Sequence, residues 1–97
     1  VQDKGYRYHV FHQYVVEFRN NAEREMVKKH LNDAKIGTAI YYPLPLHLQK
    51  CFKEYGYVEG DLPVSEKLSK TTLALPMFPE LTNDEIEKVV NTIREVF

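Results

Sequence analysis

Two proline pairs, Pro43/Pro45 and Pro76/Pro79, decide where regular structure in this chain has to stop. Proline has no backbone N–H to give to a sheet, and its ring clashes inside a helix. It also pushes the residue before it into extended conformations. Each pair follows a short apolar run, "TAIYY" from Thr38 and "TTLAL" from Thr71, so each run reads as a strand cut short. In "GTAIYYPLPLHLQ" the first pair also makes the chain beyond Tyr42 a stiff, polyproline-like strut.

The other elements follow from periodicity. Val10 to Phe18, "VFHQYVVEF", is rich in β-branched and aromatic residues and reads as a strand. Val10, His12, Tyr14, Val16 and Phe18 form its expected core face, with His12 as the odd member, and Gln13 lies on the polar face. Asn20 or Asn21 caps a helix running to about Lys35. Val27, Leu31 and Ala34 form its apolar stripe, helped by Met26, and Gly37 ends it. "HLQKCFKEY" reads as a short helix closed by Gly56, and "GYVEGDLPVSEKLSK" as a turn and a second short helix with Asp61 as a possible cap. Thr82 and Glu85 form a T-x-x-E capping box before a last helix with Ile86, Val89, Val90 and Ile93 on one face. The order is β-α-β-α-α-β-α. It predicts one α+β domain over residues 1–97, a two-layer sandwich with a small mixed or antiparallel three-stranded sheet.

Composition narrows the function. Thirteen Lys and Arg stand against 14 Asp and Glu, scattered along the chain, which disfavours nucleic acid as a partner. One cysteine, Cys51, fits a reducing compartment, and the expected location is the cytoplasm. No apolar run approaches a membrane span, no signal peptide is visible, and no membrane partner is expected. The opening "VQDKGYRYHV" reads as the middle of a longer protein.

Few residues invite chemistry. His47 and Cys51 stand at i, i+4 and could both touch a metal, but two ligands are too few for a structural zinc site. The plain expectation is a buried thiol beside a surface imidazole, and no metal site. A Cys-His nucleophile pair lacks an orienting third group. Four glycines form no phosphate-binding motif. Tyr41 and Tyr42 resist a purely structural reading: along a strand they point to opposite faces, so one packs in the core and the other meets solvent, a partner or a ligand. His47 and Gln49 add donors and acceptors just beyond the strut. This is either a polar-ligand or interface loop or simple structure.

Three segments then carry a resemblance: "HVFHQYVVEF", "GTAIYYPLPLHLQ" and "GYVEGDLPVSEKLSKTTLALPMFPELTNDEI". In this order and spacing they resemble the C-terminal part of the DegT/DnrJ/StrS sugar aminotransferases, over nearly the whole chain. The resemblance implies the small domain of a fold-type-I pyridoxal-phosphate enzyme, with the large cofactor domain absent from this chain. It implies a homodimer that transfers an amino group, usually from glutamate, to a keto group on a nucleotide-linked sugar. The products feed surface-polysaccharide or antibiotic-sugar synthesis.

The cofactor needs a lysine for its Schiff base and an acid at its pyridine nitrogen. In the family both lie in the large domain. None of the nine lysines here sits in that motif context. The chain by itself is therefore expected to bind no cofactor, hold no catalytic residue and be inactive. The resemblance places Tyr41 and Tyr42 at the mouth of the active site, with Tyr41 where a histidine is common. It places His12 and Gln13 near the cofactor cleft, His12 being alternatively a core histidine. His47 and Gln49 match positions that meet sugar hydroxyls or the dimer partner. The competing reading is a non-catalytic binding or interaction module that reuses this domain.

Overall fold

The structure, a computed structural model, describes Gly5 and residues 10–97. Lys4, one of the nine lysines, and His9, which opens the first family segment, lie outside the described residues. Among those residues the elements are β1 (Tyr14–Glu17), α1 (Asn21–Asp33), two 3-10 helices (Leu46–Leu48 and Lys50–Tyr55), α2 (Pro63–Thr71), β2 (Thr72–Leu75) and α3 (Asn83–Arg94).

β1 and β2 pair antiparallel, with Tyr14 opposite Leu75 and Glu17 opposite Thr72. The "TAIYY" segment adds only one bridge. Ala39 N–H donates to the Ala74 carbonyl at 3.1 Å, and Ala74 N–H donates back at 2.8 Å. The α+β class holds, while the expected third strand shrinks to one residue pair beside β2. The bend at Tyr41 and the prolines behind it leave no room to extend the pairing.

The core is Val27, Leu31, Ile36, Leu73 and Val89, with Val16, Phe18, Ala34, Ile40, Leu75, Ile93 and Val96 packed around it. Val27, Leu31 and Leu73 are wholly shielded; such burial stabilises by roughly 1.5–3 kcal/mol per side chain. β1 starts four residues later than its sequence predicts, and only Val16 and Phe18 of its expected core face reach the core. Val10, His12 and Tyr14 are exposed. The core-histidine alternative for His12 is therefore excluded. Met26 is 54% exposed and does not support the apolar stripe. It lies about 100° around the helix from Val27. On α3 Val89 is buried and Ile93 half-buried, whereas Ile86 and Val90 stay largely outside.

Helix ends show which side chains set the boundaries. Asn20 Oδ1 accepts from Glu23 N–H at 2.9 Å and caps α1. The expected stop at Gly37 falls two residues earlier. Ile36 N–H donates to the Leu31 carbonyl and Lys35 N–H to the Asn32 carbonyl, both at 2.9 Å, with Lys35 at φ 59. This is a Schellman closure with a lysine in the left-handed position that usually favours glycine, and Ile36 packs with Leu31 in the same core cluster. The "HLQKCFKEY" helix is of the 3-10 type, and Gly56 closes it at φ 77. Asp61 does not cap α2: its carboxylate accepts from Val58 N–H in the preceding turn. The capping box at α3 forms as expected, with Thr82 Oγ1 accepting from Glu85 N–H and the Glu85 carboxylate accepting from Thr82 N–H. No helix among the described residues is long and apolar enough to cross a membrane.

Candidate functional site

The stretch from Gly37 to Gln49 leaves the sheet at Ala39, bends at Tyr41 and runs through the two prolines into the 3-10 helix Leu46–Leu48. This path carries it over the face of the sheet that also bears Gln13, Val15 and Ala74. Helix α2 closes the far side with Ser65, Leu68 and Ser69. Between them lies an open cleft of about 600 Å³. Gln13, Tyr41, Tyr42 and His47 all line it. Four of the six residues singled out from sequence thus meet at one place.

His12 and Gln49 do not line this cleft. Gln49 is spent locally: its amide N–H donates to the Leu44 carbonyl at 3.4 Å, and its side-chain oxygen accepts from Cys51 Sγ at 3.8 Å. Its amide therefore braces the proline strut. The two tyrosines also differ from expectation. Neither packs in the core: Tyr41 is 53% and Tyr42 69% exposed. Without an extended strand there, the alternation that would have buried one ring is lost.

The reading of His47 and Cys51 reverses. Cys51 is exposed, and the imidazole of His47 is buried at 7% exposure. The two residues stand in separate 3-10 helices, broken at the extended Gln49, so a four-residue spacing gives them no common face. No cluster of three or more His, Cys, Asp or Glu side chains suited to a metal exists among the described residues.

Glu66 is the residue that sequence reasoning missed. It sits in the first turn of α2, is 8% exposed, and gathers donors from three places. Gly60 N–H reaches both carboxylate oxygens at 2.9 Å, Leu62 N–H reaches Oε1 at 3.3 Å, and His47 Nε2 lies 2.9 Å from Oε1. The hydrogen bond from His47 is the strongest influence on its titration and lowers it. Burial opposes that, and the Gly60 and Leu62 N–H groups lower it again, so the carboxyl stays below the ordinary glutamate value of 4.5. A carboxylate accepts only, so the proton between Glu66 and His47 belongs to Nε2. Tyr57 packs edge-on against the imidazole, with ring centroids 6.2 Å apart. A signal was present: Glu66 lies three residues after Pro63 in "GDLPVSE", in the first turn of the helix, where acids are favoured. Its second role toward His47 has no trace in local spacing, because 19 residues separate the two.

The cleft can hold a neutral, partly apolar group. Its walls combine Ile40, Leu46, Leu62 and Leu68 with Ser65, Ser69, Thr72 and the two tyrosines, the Ser69 and Thr72 hydroxyls donating to the Glu66 and Leu68 carbonyls. Among the described residues, no lysine, arginine, aspartate or glutamate lines it. Hydroxyl and imidazole groups can hydrogen-bond a polyol, but nothing there forms an imine or neutralises a phosphate.

The chain belongs to the DegT/DnrJ/EryC1/StrS aminotransferase family, whose model matches residues 1–94. It is 47% identical over 91 residues to a pleiotropic regulatory protein of Geobacillus stearothermophilus, covering 94% of this chain and 24% of that protein. It is 43% identical over 90 residues to a UDP-N-acetyl-3-dehydro-alpha-D-glucosamine 3-aminotransferase of Acidithiobacillus ferrooxidans, covering 93% of this chain and 23% of the enzyme. Among solved structures it is similar to S. venezuelae DesV in complex with a ketimine intermediate. That match has a TM-score of 0.80 and 30% identity, over 89% of this chain and 22% of the other. The chain spans about a quarter of the length of the curated relatives it matches.

Proposed function

We propose that this chain is the small, C-terminal domain of a pyridoxal-phosphate-dependent nucleotide-sugar aminotransferase, acting in the cytoplasm as a homodimer. The family implies the cofactor. The described residues do not fit it: the cleft offers no lysine for an imine and no acid for the pyridine nitrogen. Under this reading both come from a large domain outside this chain, and the 97 residues alone neither bind the cofactor nor transaminate. When bound in the whole enzyme, the cofactor supplies the electron sink for moving an amino group, with glutamate as donor. This domain's part is to hold the keto-sugar.

The observation that carries the proposal is the convergence of Gln13, Tyr41, Tyr42 and His47 on one uncharged cleft in a member of this family. Tyrosine hydroxyls on a proline-stiffened strut lose little freedom on meeting a sugar. His12, exposed and outside the cleft, is left for a neighbouring subunit or the large domain, and Gln49 acts by bracing the strut. A second reading has its own support, since the 47% identical relative is named a regulatory protein. In that reading the domain is a non-catalytic interaction module.

The test uses the full-length polypeptide that carries this domain. With pyridoxal phosphate added, the aminotransferase reading requires an internal aldimine absorption band and transfer from glutamate to a keto-sugar nucleotide. Tyr42→Phe then raises KM for the sugar by roughly tenfold, the loss of about one hydrogen bond to a polar ligand. A well-folded polypeptide without the band supports the regulatory reading. A band with an unmoved KM removes Tyr42 from the substrate site.

A further inference from the structure

We infer that Glu66 is a positioning residue: it pins the imidazole of His47 in the Nε2–H tautomer, so that Nδ1 is the atom offered, as an acceptor, to a sugar hydroxyl in the cleft. The inference rests on the reading of the cleft as a keto-sugar site.

The geometry is specific. Nε2 is 2.9 Å from Glu66 Oε1, and both side chains are buried, at 7% and 8% exposure. Glu66 is held in place, because the Gly60 and Leu62 N–H groups reach the same carboxylate, both at Oε1 and Gly60 at Oε2 as well. Gly60 itself stands at φ 98, a conformation that favours glycine, so the turn is built to aim its N–H at this oxygen pair. On the imidazole side, Tyr57 packs edge-on and restrains the ring plane. The one hydrogen bond of the ring among the described residues is at Nε2, which leaves Nδ1 for a ligand, and His47 is among the residues that line the cleft. A histidine fixed at one nitrogen by a carboxylate has its other nitrogen defined in both direction and protonation.

Glu66→Ala gives a sharp consequence. Oε1 accepts from His47, Gly60 and Leu62 alike, so the substitution removes the one acceptor that holds the proton on Nε2, and the ring populates both tautomers. Glu66→Gln keeps a carbonyl oxygen for these donors and with it the Nε2–H tautomer. The atom offered to the cleft stays an acceptor in Glu66→Gln and is undefined in Glu66→Ala.

The experiment uses the full-length polypeptide labelled with 15N-histidine, at about pH 8, where an ordinary imidazole is neutral. Long-range proton–nitrogen spectra read the tautomer, and His47→Asn assigns the signal by its loss. The expected result is a protonated Nε2 and bare Nδ1 in the unsubstituted protein and in Glu66→Gln, both tautomers in Glu66→Ala, and roughly tenfold weaker binding of UDP-N-acetyl-3-dehydro-alpha-D-glucosamine by Glu66→Ala alone. A doubly protonated ring or an Nδ1–H tautomer in the unsubstituted protein overturns the inference, even where the variant fails to fold. So does unchanged probe affinity in Glu66→Ala once both tautomers are seen. If the unsubstituted protein does not bind the probe although the tautomers behave as expected, the reading of the cleft as a site for this sugar falls, while the pinning of His47 by Glu66 stands.

Discussion

Lys35→Gly is expected to stabilise this chain, and Gly37→Ala is expected to leave α1 intact. Lys35 closes the helix at φ 59, with its N–H and that of Ile36 returned to Asn32 and Leu31. An L-residue in the left-handed region costs about 1–2 kcal/mol. Glycine removes that strain but gains about 0.4–1 kcal/mol of unfolded-state freedom. The net gain is about 0.5–1 kcal/mol. For a domain of this size that raises Tm by roughly 2–8 °C. Gly37 is not at positive φ, and a Cβ added there meets nothing within 4 Å. Alanine at 37 is therefore neutral or stabilising by up to about 1 kcal/mol. The assay is urea unfolding followed by far-UV circular dichroism, comparing midpoints at unchanged slope. If Gly37 were the helix-ending residue, both signs would invert. A lowered midpoint for both variants would refute the Schellman closure at Lys35.

Two more expectations follow from burial and titration. Leu31→Ala removes three wholly buried carbons and should cost about 2–5 kcal/mol, read as a large drop in the urea midpoint, whereas Met26→Ala should change stability by less than about 0.5 kcal/mol. Glu85 is held below the ordinary value of 4.5, first by the Thr82 N–H and then by the Thr82 hydroxyl, and Glu66 is lowered as well. A depressed carboxyl stabilises the fold fully above its unfolded value and loses that contribution as pH falls through the folded one. Stability should therefore fall with acid below about pH 4.5. Glu85→Gln, which can keep the capping box, should make that fall shallower in a melt series across pH.

What sequence could reveal depended on how local the cause was. The Asn20 cap, the Thr82–Glu85 box and the Val27–Leu31 stripe are fixed by neighbours within one or two turns, and all three formed. The glycine rule failed at Gly37 because the closure needed a hydrophobic residue after the left-handed position. Ile36 satisfies that when Lys35, not Gly37, takes the turn. Strand alternation failed at Tyr41 because it presumes a ladder, and one bridge at Ala39 is no ladder. The swap of burial between His47 and Cys51 had no local signal. His47 goes inside because Glu66, from another helix, meets it there.

This division bears on how a cleft without a charged lining can serve a charged substrate. The two tyrosines stand on a strut that no strand supports, and they are exposed at its rim. His47, a few residues on, is buried and hydrogen-bonded. The cleft therefore has one wall set by interactions within this chain and one edge whose orientation depends on what meets the tyrosines. Under the proposed function the diphosphate and the donor carboxylate need cations, which the described residues of this cleft do not provide. They would bind residues outside it and leave the uncharged sugar ring to these hydroxyls and to Nδ1 of His47. Tyr42→Phe or Glu66→Ala should then weaken binding of the keto-sugar nucleotide and leave the KM for glutamate unchanged. Equal loss for both substrates would place these residues in the shared cofactor site and not on the sugar.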